Sequence, residues 1–232
     1  LLSVIFQNST TSLSLSIITW MLWTIFLPKI IGDVVEQVSP LPTRFEIKEN
    51  MSLDRSKGID GHNPLDKRKK DLENKILKEY NVDSLKQLPI NFAGIVMQAD
   101  EEYGNKVWDK HYGELYNKLN LQKKYFQFSG LINPFISVRN LSMGASGTDL
   151  AHHIDFLKKA EIYRRYFIKT LNDEYAYGGS KTGERGWKAN NNFFRSIKDF
   201  DYPRISFSSI LSQYIIDILY LFLWSILLTL LI

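Results

Sequence analysis

Two charge-free apolar runs bracket the chain, and the sequence between them repeats its apolar positions at helical spacing. Leu13 to Leu27 reads LSLSIITWMLWTIFL. Alone it is short of the roughly 20 residues that cross about 30 Å of hydrocarbon. Extension through Pro28, Ile30 and Ile31 to Val34-Val35 supplies the length, with Lys29 free to snorkel toward headgroups. Its Ser and Thr residues can return hydrogen bonds to the helix backbone. The second run, Ser206 to Ile232, carries no charge from Ile218 onward.

Between these runs the pattern predicts helices over Phe45–Lys57 and over Asp66–Asn81, where Leu65, Leu72, Ile76 and Leu77 form a narrow apolar stripe. The longest periodic run is Ile90 to Phe128, marked by Phe92, Ile95, Val96, Ala99, Tyr103, Val107, Trp108, Leu115 and Leu119. Gly94, Gly104 and Gly113 interrupt it, which predicts a kink or a close helix approach at one of them. Asn133 to Asn172 opens on the helix breaker Pro134 and runs through small residues to a helix start at Ser146–Asp149, with Ser146 as the expected cap. Leu150, Ile154, Leu157, Phe156, Ala160, Tyr163 and Phe167 then recur at helical spacing. Ala176–Gly186 is a Gly-rich polar loop, and Trp187–Phe200 reads as a short final helix. No strand-like alternation persists. The expected fold is all-α: two transmembrane helices flanking a mostly helical extracytoplasmic domain. The boundaries fall at 1–37 for the first membrane segment, 38–204 for the domain and 205–232 for the second membrane helix. Leu1–Phe6 is expected to be the tail of an earlier membrane helix.

Charge strengthens this picture. Lys and Arg number 29 against 25 Asp and Glu, a formal net charge of +4. Every basic residue, and every acidic residue except Asp217, lies between Lys29 and Arg204. A soluble globular protein seldom segregates its charges in this way, whereas a membrane protein with a water-exposed insert does. The excess is too small and too scattered for a nucleic-acid surface. Cysteine is absent, which removes disulfide and thiolate chemistry. Leu1–Phe6 lacks the basic flank and small-residue site of a signal peptide. With no initial Met and an apolar end, the chain is expected to be part of a longer protein.

Candidate chemistry is sparse. Gly178-Gly179-Ser180-Lys181-Thr182 lacks the Gly before the Lys and the preceding strand that a phosphate loop needs. Asp149 and His153 share a helix face with His152 nearby, but zinc asks for three or four convergent ligands, so a cap carboxylate beside surface histidines is the expected role. On capping grounds alone, Asp149→Ala costs roughly 0.5–1 kcal/mol. Glu161 with Arg164 and Arg165 reads as a helix-surface pair, and Asp100-Glu101-Glu102 as a solvated patch. Asn8, Asn50 and Asn140 open glycosylation sequons, which arise readily by chance. Ser209, Ser212, Gln213 and Asp217 gather on one side of the second apolar run. An ionisable group in a membrane helix is a functional hypothesis by default; near the helix end, interfacial placement of Asp217 is the expectation. No catalytic, cofactor or metal residues are assigned, and no enzyme activity is expected.

The order of several landmarks resembles the ABC-2-type transporter permeases that carry a DUF3526 domain, a family of Bacteroidetes and other Gram-negative bacteria. These landmarks are Trp20 with Pro28, Pro40-Leu41-Pro42-Thr43-Arg44, Leu88-Pro89-x-Asn91-x-x-Gly94, Asn133-Pro134, Gly147-Thr148-Asp149, Phe156, and Ala160-Glu161-x-Tyr163-Arg164 leading to Asn172. The candidate motif is accordingly Pro134, Gly147, Thr148, Asp149, Glu161, Tyr163 and Arg164. The Gly178–Gly186 loop matches no landmark. The resemblance implies an inner-membrane permease subunit with a periplasmic insert at Val38–Arg204, powered by a separate ATPase subunit that binds the ATP. It further implies a sister permease or homodimer, membrane lipid and a periplasmic protein as partners; nucleic acid is not among them. It supplies no cargo. The alternative is a membrane-anchored extracytoplasmic sensor or binding module without transport.

Overall fold

The computed structural model describes residues 5–184 and 186–230. Leu1–Val4, expected to close an earlier membrane helix, and Leu231–Ile232, at the end of the second apolar run, lie outside them, as does Arg185. Every regular element among the described residues is helical.

Helix α1, Ser9–Val38, and helix α8, Phe207–Leu230, are long and apolar enough to cross a membrane. Their apolar side chains face outward: Trp20 is 61 % exposed and Phe222 is 66 % exposed. A core helix of a soluble domain would bury such groups, so neither is one. Within α1 the segment Leu22–Phe26 widens into a π turn just ahead of Pro28. Pro28 has no N–H, and its ring would collide with the carbonyl four residues back; the widened turn relieves both problems and lets the helix continue. The hydroxyls of Ser16, Thr19 and Thr24 donate to the carbonyls of Ser12, Leu15 and Trp20.

The central helices are α2 (Arg44–Lys57), α3 (Leu65–Tyr80), α4 (Phe92–Phe128), α5 (Pro134–Ser146), α6 (Leu150–Tyr177) and α7 (Asn191–Ser196). A capping box starts α2, with Glu46 N donating to Thr43 Oγ1 at 3.2 Å and Thr43 N to Glu46 Oε2 at 2.7 Å. Three expectations are corrected. The small-residue run after Pro134 is itself helix α5. Ser146 ends that helix instead of capping the next one. Of Trp187–Phe200, only Asn191–Ser196 is helical, capped by the Asn190 side chain.

The chain divides into two compact units: 1–41 with 116–156 and 203–232, and 42–115 with 157–202. The second unit has an apolar core of Ile76, Leu88, Ile90 and Phe92, flanked by Leu72, Tyr80, Val82 and Leu85. Its closure explains two features of the sequence. Gly94 lets α4 meet the end of α6, because a Cβ there would sit 2.6 Å from Ala176 N and 2.8 Å from Ala176 Cα. Beside it, Asn91 N donates to Ala176 O at 2.9 Å, and Asn91 Nδ2 donates to Ser180 Oγ at 2.8 Å. Thr182 Oγ1 donates to Ile90 O and accepts from Phe92 N, both at 3.0 Å. The Gly178–Gly186 loop is thus bound to the start of α4 through Ser180 and Thr182.

Candidate functional site

The site lies within the unit built from the two ends and 116–156, and it begins with the α5–α6 junction. At the end of α5, Gly147 takes the left-handed conformation (φ +72°), and Thr148 N donates to Met143 O at 2.9 Å. This six-residue closure satisfies the last carbonyls and turns the chain at once into α6. Asp149 then caps α6, accepting from Ala151 N and His152 N, each at 3.2 Å.

Asp149 is only 5 % exposed, and its carboxylate does more than cap. Tyr214, on α8, donates its hydroxyl to Asp149 Oδ2. His152 Nδ1 pairs with Oδ1, while its Nε2 faces Ile205 O at 3.2 Å. Lys123, from α4, places Nζ 3.8 Å from Asp149 Oδ2, 2.9 Å from Gln213 Oε1 and 5.0 Å from the Tyr214 ring centre. Gly144 makes room for that ring: a Cβ there would lie 2.7 Å from it.

One turn along α8 from Tyr214, Asp217 is fully buried. Gln127 Nε2 and Asn140 Nδ2 donate to its two carboxylate oxygens, the latter at 3.0 Å, and Gln127 Nε2 also reaches Gln213 O at 2.8 Å. Of the surroundings open to its side of α8, Asp217 therefore meets protein donors. The two carboxylates and their partners draw α4, α5, α6 and α8 together around one polar node. An open cleft of about 290 Å³ beside it is lined by Lys123, Phe126, Arg139, Asn140, Asp149 and Tyr214.

Burial opposes the charge on both Asp149 and Lys123, and only at Asp149 do hydrogen bonds outweigh it. Burial pushes the Asp149 carboxyl up, but hydrogen bonds from Tyr214, His152 and the backbone outweigh it and hold the group below the ordinary aspartate value. Burial pushes the Lys123 ammonium down, partly offset by Asp149 and Asp217. Among the described residues no three His, Asp or Glu side chains converge in a metal-binding set.

The candidate motif divides between the units. Pro134 opens α5 behind the capping Asn133, at the far end of that helix from Asp149, whereas Gly147 turns the chain beside Asp149 and Thr148 Oγ1 meets Ser146 Oγ at 2.9 Å. Glu161, Tyr163 and Arg164 belong to the other unit. There Glu161 accepts from Arg164 Nε at 2.8 Å and Arg165 Nε at 2.9 Å, Arg164 also reaches Glu101 and Asn105, and Arg165 grips Asp109. Tyr163 OH donates to Lys198 O at 2.9 Å. Glu161 thus makes the local pairs that its spacing suggests, and it is Arg164 and Arg165 that carry the network across to Glu101, Asn105 and Asp109 of α4. Sequence reasoning missed Lys123, Gln127, Asn140 and Tyr214, because nothing local brings three separate helices to two carboxylates.

Glu161 carries a prediction. Burial raises its pKa, but hydrogen bonds from Arg164 and Arg165 lower it further, leaving it below the ordinary glutamate value. A depressed carboxyl stabilises the fold above its unfolded pKa of about 4.3, and that contribution is lost as pH falls through the folded value. Because Arg164 is substantially exposed, Glu161→Gln is expected to cost only about 1 kcal/mol at pH 7. Thermal melts at pH 7 and below pH 4 check it: the variant and wild type should converge in acid.

Residues 44–205 match the family described as Domain of unknown function (DUF3526). The chain belongs to this family. No curated protein and no solved structure matches it. The DUF3526 region holds Lys123, Gln127, Asn140 and Asp149, while Tyr214 and Asp217 lie just beyond its end on α8. The polar node therefore joins the family region to a helix able to cross a membrane.

Proposed function

We propose that this DUF3526 chain is part of a permease subunit of an ABC-type transporter, with the region between α1 and α8 on the extracytoplasmic side of the bacterial inner membrane. ATP is hydrolysed by a separate subunit, and the helical region gates or docks a sister permease or periplasmic partner. The observation that supports this reading is the fully buried Asp217 on an otherwise uncharged α8, gripped by Gln127 of α4 and Asn140 of α5. An uncompensated carboxylate is expensive in such a helix, and groups of this kind mark functional segments of membrane proteins. Held by donors from other helices, it ties movement of α8 to movement of α4 and α5, which a gating element requires.

The 232 residues contain no cysteine, so a single introduced one reports topology cleanly. Lys70→Cys, exposed on α3, is expected to react with a membrane-impermeant maleimide in cells whose outer membrane alone has been permeabilised. Labelling only after inner-membrane lysis overturns the orientation. Detergent-solubilised full-length protein is expected to copurify with a Walker-motif ATPase encoded beside it; consistent failure to do so, with a sensor kinase captured instead, overturns transport.

A further inference from the structure

We propose that the α4–α5 elbow, residues 125–138, is a third membrane-embedded element: a re-entrant hairpin whose apolar face is covered by lipid acyl chains. The inference rests on α1 and α8 crossing the membrane and goes beyond the transport reading, from whose extracytoplasmic region it takes residues 125–138 into the bilayer.

Sequence supplies the first argument. From Tyr125 to Val138 the chain reads YFQFSGLINPFISV, 14 residues without a charge, bracketed by Lys123-Lys124 and Arg139. This is too short to span the bilayer and has the length of a re-entrant or interfacial segment.

Exposure supplies the second. Phe128, Leu131, Ile132, Phe135 and Val138 all point outward, Ile132 being 66 % exposed. Water would cover a contiguous apolar face of this kind only at considerable cost.

Depth supplies the third and decides what the cover is. Trp224 Nε1 donates to Leu131 O at 3.1 Å, and Asn133 Nδ2 donates to Trp23 O at 2.7 Å. Trp23 and Trp224 themselves meet edge to face with centroids 5.4 Å apart. The elbow is thus level with Trp23, which precedes Asp33, the first acidic residue of α1, by ten positions. At 1.5 Å per residue this is about 15 Å, half the thickness of the hydrocarbon layer. A face at that depth and continuous with two spanning helices meets acyl chains.

The backbone is built for such a place. Irregular backbone survives at membrane depth only where its polar groups are satisfied by protein. Ile132 N and Asn133 N donate to Ser129 O at 3.0 and 2.9 Å, and Ile136 N donates to Asn133 O at 3.1 Å. Phe135 N donates to the Asn133 side chain at 3.1 Å, Ser129 Oγ donates to Phe126 O at 2.6 Å, and Trp224 takes the Leu131 carbonyl. Pro134 has no N–H to satisfy. Asn133 is itself fully buried; it closes the turn with its oxygen and fastens the elbow to α1 with its nitrogen.

The test uses full-length protein in phosphatidylcholine nanodiscs, with single cysteines at Ile132 and Val138 (elbow), Phe222 (outer face of α8) and Lys70 (water). All four sites are exposed, so the substitutions leave the packing alone. Ile132→Cys and Val138→Cys are expected to react with impermeant maleimide on the order of tenfold more slowly than Lys70→Cys, matching Phe222→Cys. An environment-sensitive fluorophore at Ile132 is expected to be quenched by lipids carrying a nitroxide deep in the acyl chain. Elbow sites that label like Lys70 while Phe222 stays protected overturn the proposal and leave the spanning helices intact. Protection without lipid quenching, as under a protein cover, also overturns it. Rapid labelling at Phe222 overturns the spanning reading on which the proposal stands.

Discussion

Asp149→Ala is expected to lower stability by about 3 kcal/mol, several times what a lost helix cap costs. The cap alone accounts for roughly 1 kcal/mol. The remainder comes from what the carboxylate leaves behind: the Tyr214 hydroxyl, 1 % exposed as a residue, the His152 ring and the Lys123 ammonium all lose a partner at a buried position. Stranded polar groups each cost about 1–3 kcal/mol, and removing one side of a buried charge pair costs more than the pair contributes. For a protein of this size the melting temperature should fall by roughly 6–12 °C. Asp149→Asn retains an acceptor for the backbone and for Tyr214 and should lose about 1 kcal/mol less. Thermal melts in detergent measure both. If Asp149→Ala costs no more than a cap, the tertiary partners contribute nothing and the node is incidental. The pH dependence has a fixed sign: because the Asp149 carboxyl is held below its ordinary value, its contribution is present above about pH 4 and is lost as pH falls through the lower folded value.

Gly94→Val is expected to disrupt the unit formed by 42–115 and 157–202 by about 3 kcal/mol or more. The obstacle is backbone: Ala176 N and Cα lie 2.6 and 2.8 Å from where a Cβ would stand, so no side chain can rotate away. Separating α4 from the end of α6 also stretches the Asn91–Ala176 and Asn91–Ser180 hydrogen bonds, 2.9 and 2.8 Å long. Gly113 is the control in the same helix, with nothing within 4 Å of its Cβ position. Gly113→Ala should stabilise by up to about 1 kcal/mol through helix propensity and reduced unfolded-state entropy. Proteolysis of the purified protein over a denaturant series compares the two. Equal effects at Gly94 and Gly113 would show that close approach is not what Gly94 provides.

The three interrupting glycines illustrate how far sequence reaches. Their presence in a periodic run announces a kink or a close approach but does not say where. Gly94 is pressed on backbone, Gly104 faces the flexible Arg55 guanidinium, and Gly113 is open. Helix capping divides in the same way. The Thr43–Glu46 box follows from local spacing and forms as such. At Ser146–Asp149 two helix ends meet: local spacing points to Ser146 as the cap, whereas the left-handed Gly147 puts Ser146 at the end of α5 and leaves Asp149 to cap α6.

By itself the sequence determined the helical class, the two apolar helices at the ends and the extent of most helices between them. Those properties follow from periodicity, charge segregation and hydropathy, which are local and additive along the chain. Tertiary structure alone decided that Asp217 is buried in protein, that Asp149 meets Tyr214 and Lys123, that Arg164 and Arg165 join α6 to α4, and that the Gly-rich loop binds back on Asn91 and Ile90. Each depends on bringing together residues from 26 to more than 90 positions apart, and a polar side chain gives no local sign of whether its partner will be water or a distant residue.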